Sequence, residues 1–271
     1  MKLKPDLLNQ HEVASRMQTV WAGKEVVYYE ETGSTNLEAA VLARKGVSHG
    51  GLVIAECQTE GKGRRGRSWH TAGGDSIAMS MILKPKLEAE YASMLTLVQA
   101  LAVAKAIEEI CGLTAKIKWP NDILVNEKKV CGILTEMNLE GTQIASIIIG
   151  TGINVNQESF PEEIREIATS LRIETKEGQS RAELIASVCK WFETYFAIFM
   201  ENKDLSGCLD DYNMRLISGG RRVKVLDPKE EFMGLALGIN SRGELLVKKE
   251  SGEVVAVYAG EVSVRGIYGY V

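Results

Sequence analysis

AKIKWPNDILVNEKKVCGILTEMN, residues 115–138, places three apolar, β-branched runs one after another with no helical stretch between them. Ala115 to Trp119, Ile123 to Asn126 and Val130 to Asn138 each read as a strand. Parallel neighbours need a crossover of about a dozen residues or more, so these three predict antiparallel pairing rather than a doubly wound parallel sheet. Working outward, further strands are expected at Gln143 to Ile149, Ser76 to Leu83, Leu52 to Cys57 and Val26 to Tyr29. Helical periodicity fills the gaps. Thr35 with Glu38 reads as a capping box opening a helix that Gly46 stops, Tyr91 to Ile110 is a long apolar helix, and Ser180 with Glu183 opens another. In the last, Leu184, Ile185, Val188, Trp191, Phe192, Tyr195 and Phe199 follow the 3.6-residue period and read as core packing. The fold class is α+β: a mixed, mostly antiparallel sheet with helices on one face.

After Ser218-Gly219-Gly220 the pattern becomes short and alternating. Strands are expected at Arg222 to Leu226, Glu231 to Ile239, Glu244 to Lys249, Glu253 to Val257 and Glu261 to Val264, as in a small β-barrel. The expected division is an N-terminal connector, 1–25, a catalytic domain, 26–218, and a C-terminal β domain, 219–271.

Of the 271 residues 45% are hydrophobic and 25% charged, with a net charge of -4. With an isoelectric point near 5.6, a general binder of nucleic acid or anionic membrane is disfavoured. Five cysteines without a C-x-x-C pair fit a reducing compartment and inert core thiols. Residues 1–13 lack the apolar core of a signal peptide, and Met94 to Ile107 is shorter than the roughly 20 residues of a membrane span. A cytoplasmic location follows. The three histidines, His11, His49 and His70, stand in no nucleophile or metal motif, so triad hydrolysis and zinc chemistry lack support.

The dense basic segment is therefore a local device. Gly61-Lys62-Gly63-Arg64-Arg65-Gly66-Arg67 interleaves four cations with three glycines, which permit positive φ and can turn N–H groups toward one anion. Trp69 behind it offers a flat surface for a base. The alternative is a solvated loop, which the glycine spacing and Trp69 disfavour. Lys118-Trp119-Pro120-Asn121-Asp122 ends a strand at a proline that exposes Asn121 and Asp122; Asp122 is either a Mg²⁺ ligand or half of a turn. Lys128 and Lys129 enter an apolar strand, and composition favours a solvated pair over one inward ammonium that needs an anionic partner. Gly150-Thr151-Gly152-Ile153-Asn154 is a bulged strand end or a place where backbone approaches ligand.

Ser34-Thr35-Asn36, Gln58 with the basic loop and Trp69, Lys118 to Asp122, Lys129-Val130-x-Gly132-Ile133-Leu134, Gly152-Ile153-Asn154 and the ending Gly260 to Arg265 together resemble the biotin protein ligase family over about residues 26–271. The resemblance implies a class II synthetase-like sheet with a C-terminal SH3-like barrel, and a two-step reaction. Biotin and ATP, with Mg²⁺, give biotinyl-adenylate; a lysine of a biotin carboxyl carrier protein then takes the biotin. It implies that Ser34, Thr35, Asn36, Gln58, Lys62, Gly63, Arg64, Lys129 and Gly132 bind biotin. Arg64, Arg65, Arg67, Trp69, Asn121, Asn154 and Arg265 would bind ATP or the adenylate. Lys129, Arg64 and Arg67 would be catalytic, with Lys129 holding the largest share. The family loop usually starts Gly-Arg-Gly; Lys62 keeps the charge but not the bidentate fork. The basic loop is expected to order over its ligand, and residues 1–25, too few for the winged helix of repressor members, predict no DNA binding. A homodimer joined at sheet edges would fit the family. The rivals are a lipoate ligase, which shares fold class and chemistry but not the double-arginine loop, and a nucleic-acid module, disfavoured by the acidic charge.

Overall fold

Chain order decides the architecture, because two long helical connections, after the first and third strands, and a run of hairpins build the sheet. The computed structural model describes residues 6, 8–69, 71, 73–226, 230–259 and 263–266. Its elements are α1 (Gln10–Arg16), β1 (Val26–Thr32), α2 (Thr35–Arg44), β2 (Leu52–Gln58), β3 (Ser76–Leu83), α3 (Leu95–Cys111), β4 (Lys116–Lys118), β5 (Asp122–Val125), β6 (Lys128–Glu140) and β7 (Gln143–Asn154). There follow α4 (Leu171–Thr175), α5 (Arg181–Asn202), α6 (Leu209–Arg215), β8 (Arg222–Leu226), β9 (Glu231–Ile239), β10 (Leu245–Lys249), β11 (Val254–Val257) and β12 (Ser263–Gly266).

A seven-stranded sheet runs β1-β2-β3-β7-β6-β5-β4. Only β1 and β2 pair in parallel, and α2 supplies the crossover that this pairing requires. All other neighbours are antiparallel. The mixed, mostly antiparallel expectation is met.

One face carries the long helices. Ile77, Met79, Met81, Ile147, Ile149 and Ile153 face a core shared with Leu101 of α3 and Phe192 and Phe199 of α5. The opposite phase of the same strands is thinly covered. There Val53, Ile82 and Ile148 form a small cluster with Ala39 and Ala43 of α2, flanked by Tyr29, Ala40, Leu42 and Val47, which leaves the rest of that face free to form a site. The five-stranded antiparallel sheet β11-β10-β9-β8-β12 follows, with β8 and β9 at the expected residues. It is tied to the first sheet where Trp119 Nε1 donates to the Gly243 carbonyl at 2.9 Å.

Three readings change. Thr35 is not the cap of α2: Ser34 stands at that position without a side-chain cap bond, because the Thr35 hydroxyl and amide are both turned to Gln58. Residues 89–94 form a 3₁₀ turn before the long helix. The supposed connector holds α1, and Leu8, Val13 and Ala22 are buried in the core. No helix among the described residues is long and apolar enough to cross a membrane.

Candidate functional site

Three glycines of β6 and β7 form the floor. Gly132 pairs with Gly152 across the strands, and Gly150 lies two residues before, on the same sheet face as α2. A Cβ at Gly150 would strike the Asn36 amide, one at Gly152 the Trp69 indole, and one at Gly132 both Trp69 and Lys129. Missing side chains thus leave a trough that runs from Asn36 past Trp69 to Lys129. The cavity holds about 600 Å³, within the range of small-ligand sites. These glycines lie inside a regular strand, since β7 continues to Asn154 and the β6–β7 register shifts only at Asn138/Leu139. Of the two readings left open, the bulge is not seen, and the groups closest to this backbone are the Asn36 amide and the Trp69 indole.

The polar end is built from four elements. Gln58, ending β2, accepts from the Thr35 amide at 2.8 Å and lies 3.0 Å from its hydroxyl. Its Nε2 reaches the Thr71 hydroxyl at 3.3 Å. Ser80 Oγ, fully buried in β3, lies 2.8 Å from Thr35 Oγ1 and 2.6 Å from Asn36 Oδ1. Asn36 Nδ2 donates to Glu136 of β6 at 2.6 Å. Ser34, Thr35, Asn36 and Gln58 all line the cavity, as does Leu134.

The other end is cationic. Lys129 Nζ is 2.7 Å from Asp122 Oδ1 and 5.5 Å from the Trp69 ring centroid, so one lysine does point inward; Lys128 turns away to the Arg165 carbonyl at 3.0 Å. This reverses the composition-based preference for a solvated pair, because strand register and not composition decides which of two neighbours faces in. Asn121 accepts from Arg64 at 3.0 Å and donates to Asp122 at 3.1 Å. Arg64 also donates to the Ala259 carbonyl at 2.7 Å, joining the basic loop to the C-terminal sheet. Burial pulls the Arg64 guanidinium below its usual value; Asp122 opposes this and Arg65 and Arg67 add to it, but an arginine stays charged.

The basic loop is a tight hairpin over this end. Trp69 N donates to Gly61 O at 2.8 Å and Gly63 N to Arg67 O at 2.6 Å. Only Gly66 among its three glycines has positive φ, at 71°, and Arg65 shares that conformation at 59°. Gly61 is small for another reason: a Cβ would run into the Trp69 carbonyl. Lys62, Gly63, Arg65 and Arg67 line the cavity, and Trp69 Nε1 is buried with no hydrogen-bond partner among the described residues.

One expected residue, Asn154, does not line the cavity, and another, Arg265, has a side chain outside the described residues. Asn154 is buried at the end of β7, donating to Thr169 O at 3.1 Å and accepting from Gln157 at 3.3 Å. The Arg265 backbone pairs with Lys224, and its side chain lies outside the described residues, as do Gly260 to Val262. Nor does Asp122 suit a protein metal cage. It is paired with Lys129, and no group of three or more metal-binding acidic, histidine or cysteine side chains exists among the described residues. Residues not foreseen are Ser80, Thr71, Glu136 and Ala259. Ser80 carried a signal, as a serine inside the apolar strand Ser76–Leu83; Ala259 acts through its carbonyl and carried none.

The first sheet matches the model of the biotin/lipoate A/B protein ligase family over residues 31–154. Residues 218–265 match the biotin protein ligase C-terminal domain. The chain is 36% identical over 263 residues to the bifunctional ligase/repressor BirA of Bacillus subtilis, covering 96% of this chain and 80% of that protein. It is 30% identical to the biotin--[acetyl-CoA-carboxylase] ligase of Mycobacterium tuberculosis, over 96% and 97% of the two chains. Among solved structures, the biotin protein ligase from Aquifex aeolicus in complex with biotin and ATP superposes with a TM-score of 0.80 at 34% identity, over 90% of this chain and 99% of that one.

Proposed function

The chain belongs to the biotin protein ligase family, and from that premise we infer that it activates biotin with ATP and transfers it to a lysine of a biotin carboxyl carrier protein. The observation that carries this reading is the order of groups along the trough: a hydrogen-bonding end, an apolar glycine floor roofed by Trp69, and a cationic end. Biotin has a ureido head, an aliphatic chain and a terminal carboxylate in that order.

In the first step a biotin carboxylate oxygen attacks the α-phosphorus and pyrophosphate leaves, bringing anions together. No enzyme nucleophile is required, and catalysis rests on positioning and charge neutralisation. Arg64, Arg67 and Lys129 serve that role, with Arg65 and Lys62 on the surrounding rim and Trp69 facing the adenine. In the second step the carrier's amine attacks the acyl carbonyl and AMP leaves; Lys129 polarises that carbonyl. Asp122 orients Lys129, and Asn121 holds Arg64. Mg²⁺ would enter with the nucleotide phosphates rather than on a protein cage. Catalytic and C-terminal units dividing near Gly219, a cytoplasmic location and a homodimer through sheet edges complete the reading.

Pyrophosphate release measured with ATP, Mg²⁺ and either biotin or lipoate tests it. Release with biotin alone is expected; release with lipoate alone, or with neither, overturns it.

A further inference from the structure

Two residues that do not line the cavity, Ser80 and Glu136, control which atoms at its polar end can donate and which can only accept. A carboxylate accepts and never donates at neutral pH, so the Asn36 nitrogen must be the atom facing Glu136 Oε2, 2.6 Å away. That orientation turns Asn36 Oδ1 toward Ser80 Oγ at 2.6 Å. An amide oxygen cannot donate, so the single Ser80 proton goes to Asn36. Ser80 Oγ then has only lone pairs for Thr35 Oγ1, 2.8 Å away.

On the other side of Thr35, its backbone N–H, a pure donor, forces Gln58 Oε1 to face it at 2.8 Å, and Gln58 Nε2 therefore faces Thr71 at 3.3 Å. Whether the Thr35 proton goes to Ser80 or to Gln58, it is spent inside the protein. Toward the cavity Thr35 Oγ1 shows lone pairs only, Asn36 Oδ1 has one lone pair left, and Gln58 Nε2 has one N–H left.

We propose that Glu136 and Ser80 are positioning residues that impose the two acceptors of this order, beside a donor on Gln58 set by the Thr35 amide, making the polar end acceptor, acceptor and donor, the complement of a urea with two N–H groups and one C=O. The inference rests on the reading of the chain as a biotin ligase and adds the origin of its head-group selectivity. A site with fixed polarity penalises a ligand that reverses one group, because a buried acceptor then faces an acceptor. Without the carboxylate of Glu136 only the Leu134 carbonyl, 3.4 Å from Asn36 Nδ2, still holds the amide's orientation, and the order relaxes. Glutamine at 136 still offers an acceptor and should preserve it.

The test measures dissociation constants of biotin and of its cyclic carbamate analogue, in which a ring oxygen that cannot donate replaces one ureido N–H, by calorimetry without ATP. Wild-type protein should strongly prefer biotin. Ser80→Ala and Glu136→Leu should each narrow the biotin-to-carbamate ratio by about tenfold, the worth of one hydrogen bond, while Glu136→Gln stays near the wild-type ratio. Biotin KM should rise with ATP KM little changed. Equal losses for both ligands, or an unchanged ratio in the surface variant Glu136→Leu, would overturn the proposal. Wild-type protein that binds neither ligand would instead overturn the functional reading beneath it.

Discussion

Lys129 concentrates the chemistry of the site in one ammonium, held by Asp122 at 2.7 Å, with the indole of Trp69 within cation–π reach. Lys129→Ala should reduce biotin-dependent pyrophosphate release by about a hundredfold or more, as removal of one preorganised charge typically does. The cost in stability should be about 1 kcal/mol, since both partners of the pair keep some solvent contact. Wild-type rates in that variant would remove Lys129 from its role, and a collapse of the fold would move it to the structural set. The residue types of the site were largely legible in sequence: the cations, Gln58, Trp69 and Ser34 to Asn36 do meet around one cavity. What could not be read was direction. Lys128 and Lys129 differ by one residue of strand register, and Asn154, similar in type to Asn36, stays out of the cavity because the Thr169 carbonyl captures its amide.

Among elements, strong patterns were legible and weak ones were not. Helix α5 starts where Ser180 predicts, its Oγ accepting from the Glu183 amide, and β9 has the expected ends. Helices α1 and α6, at seven residues each, and α4, at five, are too short to announce themselves by periodicity; packing, not propensity, sustains them. The β5–β6 hairpin shows a further local conflict. Its turn residues Asn126 and Glu127 have φ of 49° and 64°, the pair of positive values that a two-residue type I′ turn demands. Asparagine tolerates this conformation, whereas glutamate pays about 1–2 kcal/mol for it. The Glu127–Arg221 ion pair, at 3.0 Å and more than half exposed on both sides, returns little of that. Glu127→Gly should therefore stabilise the protein by about 1 kcal/mol, after allowing for glycine's greater freedom when unfolded. The check is a higher urea midpoint at unchanged m-value; a lower midpoint would mean that the ion pair outweighs the strain.

At the scale of the molecule, the two sheets and the antiparallel bias were legible from residues 115–138 outward, while the division of labour between the faces was not. Nothing in the composition says that α3 and α5 fill one side and leave a glycine trough on the other. Nor did the polar N-terminal stretch reveal that it docks on α5. There Glu193 accepts from the amides of Val20, Trp21 and Ala22 at 2.8 to 3.0 Å, and the Trp21 ring packs 4.5 Å from His49 and 5.3 Å from Phe196. This junction should make stability fall with acid in two stages. Burial holds the His49 imidazole below its ordinary value. Below about pH 6.5 the unfolded chain therefore takes up a proton that the folded one resists, and stability falls as pH falls toward the folded value. The carboxylates act lower. Burial alone would raise Glu193, but the three amides outweigh it and hold it below its usual range; hydrogen bonds led by Lys190 and Ser187 lower Glu109 to about 2. Their contribution is complete above about pH 4.3 and is lost only as pH drops below that. Urea midpoints of wild type and His49→Gln at pH 7.5, 5.5 and 3.5 separate the stages. Glutamine can still accept the Lys84 amide that His49 Nδ1 now holds at 3.0 Å, but it does not titrate. Between pH 7.5 and 5.5 the wild type should lose stability that the variant keeps, and from 5.5 to 3.5 the carboxylates should carry both down together. Equal losses in the first interval would show that the aromatic junction of Trp21, His49 and Phe196 does not feel the charge on the imidazole.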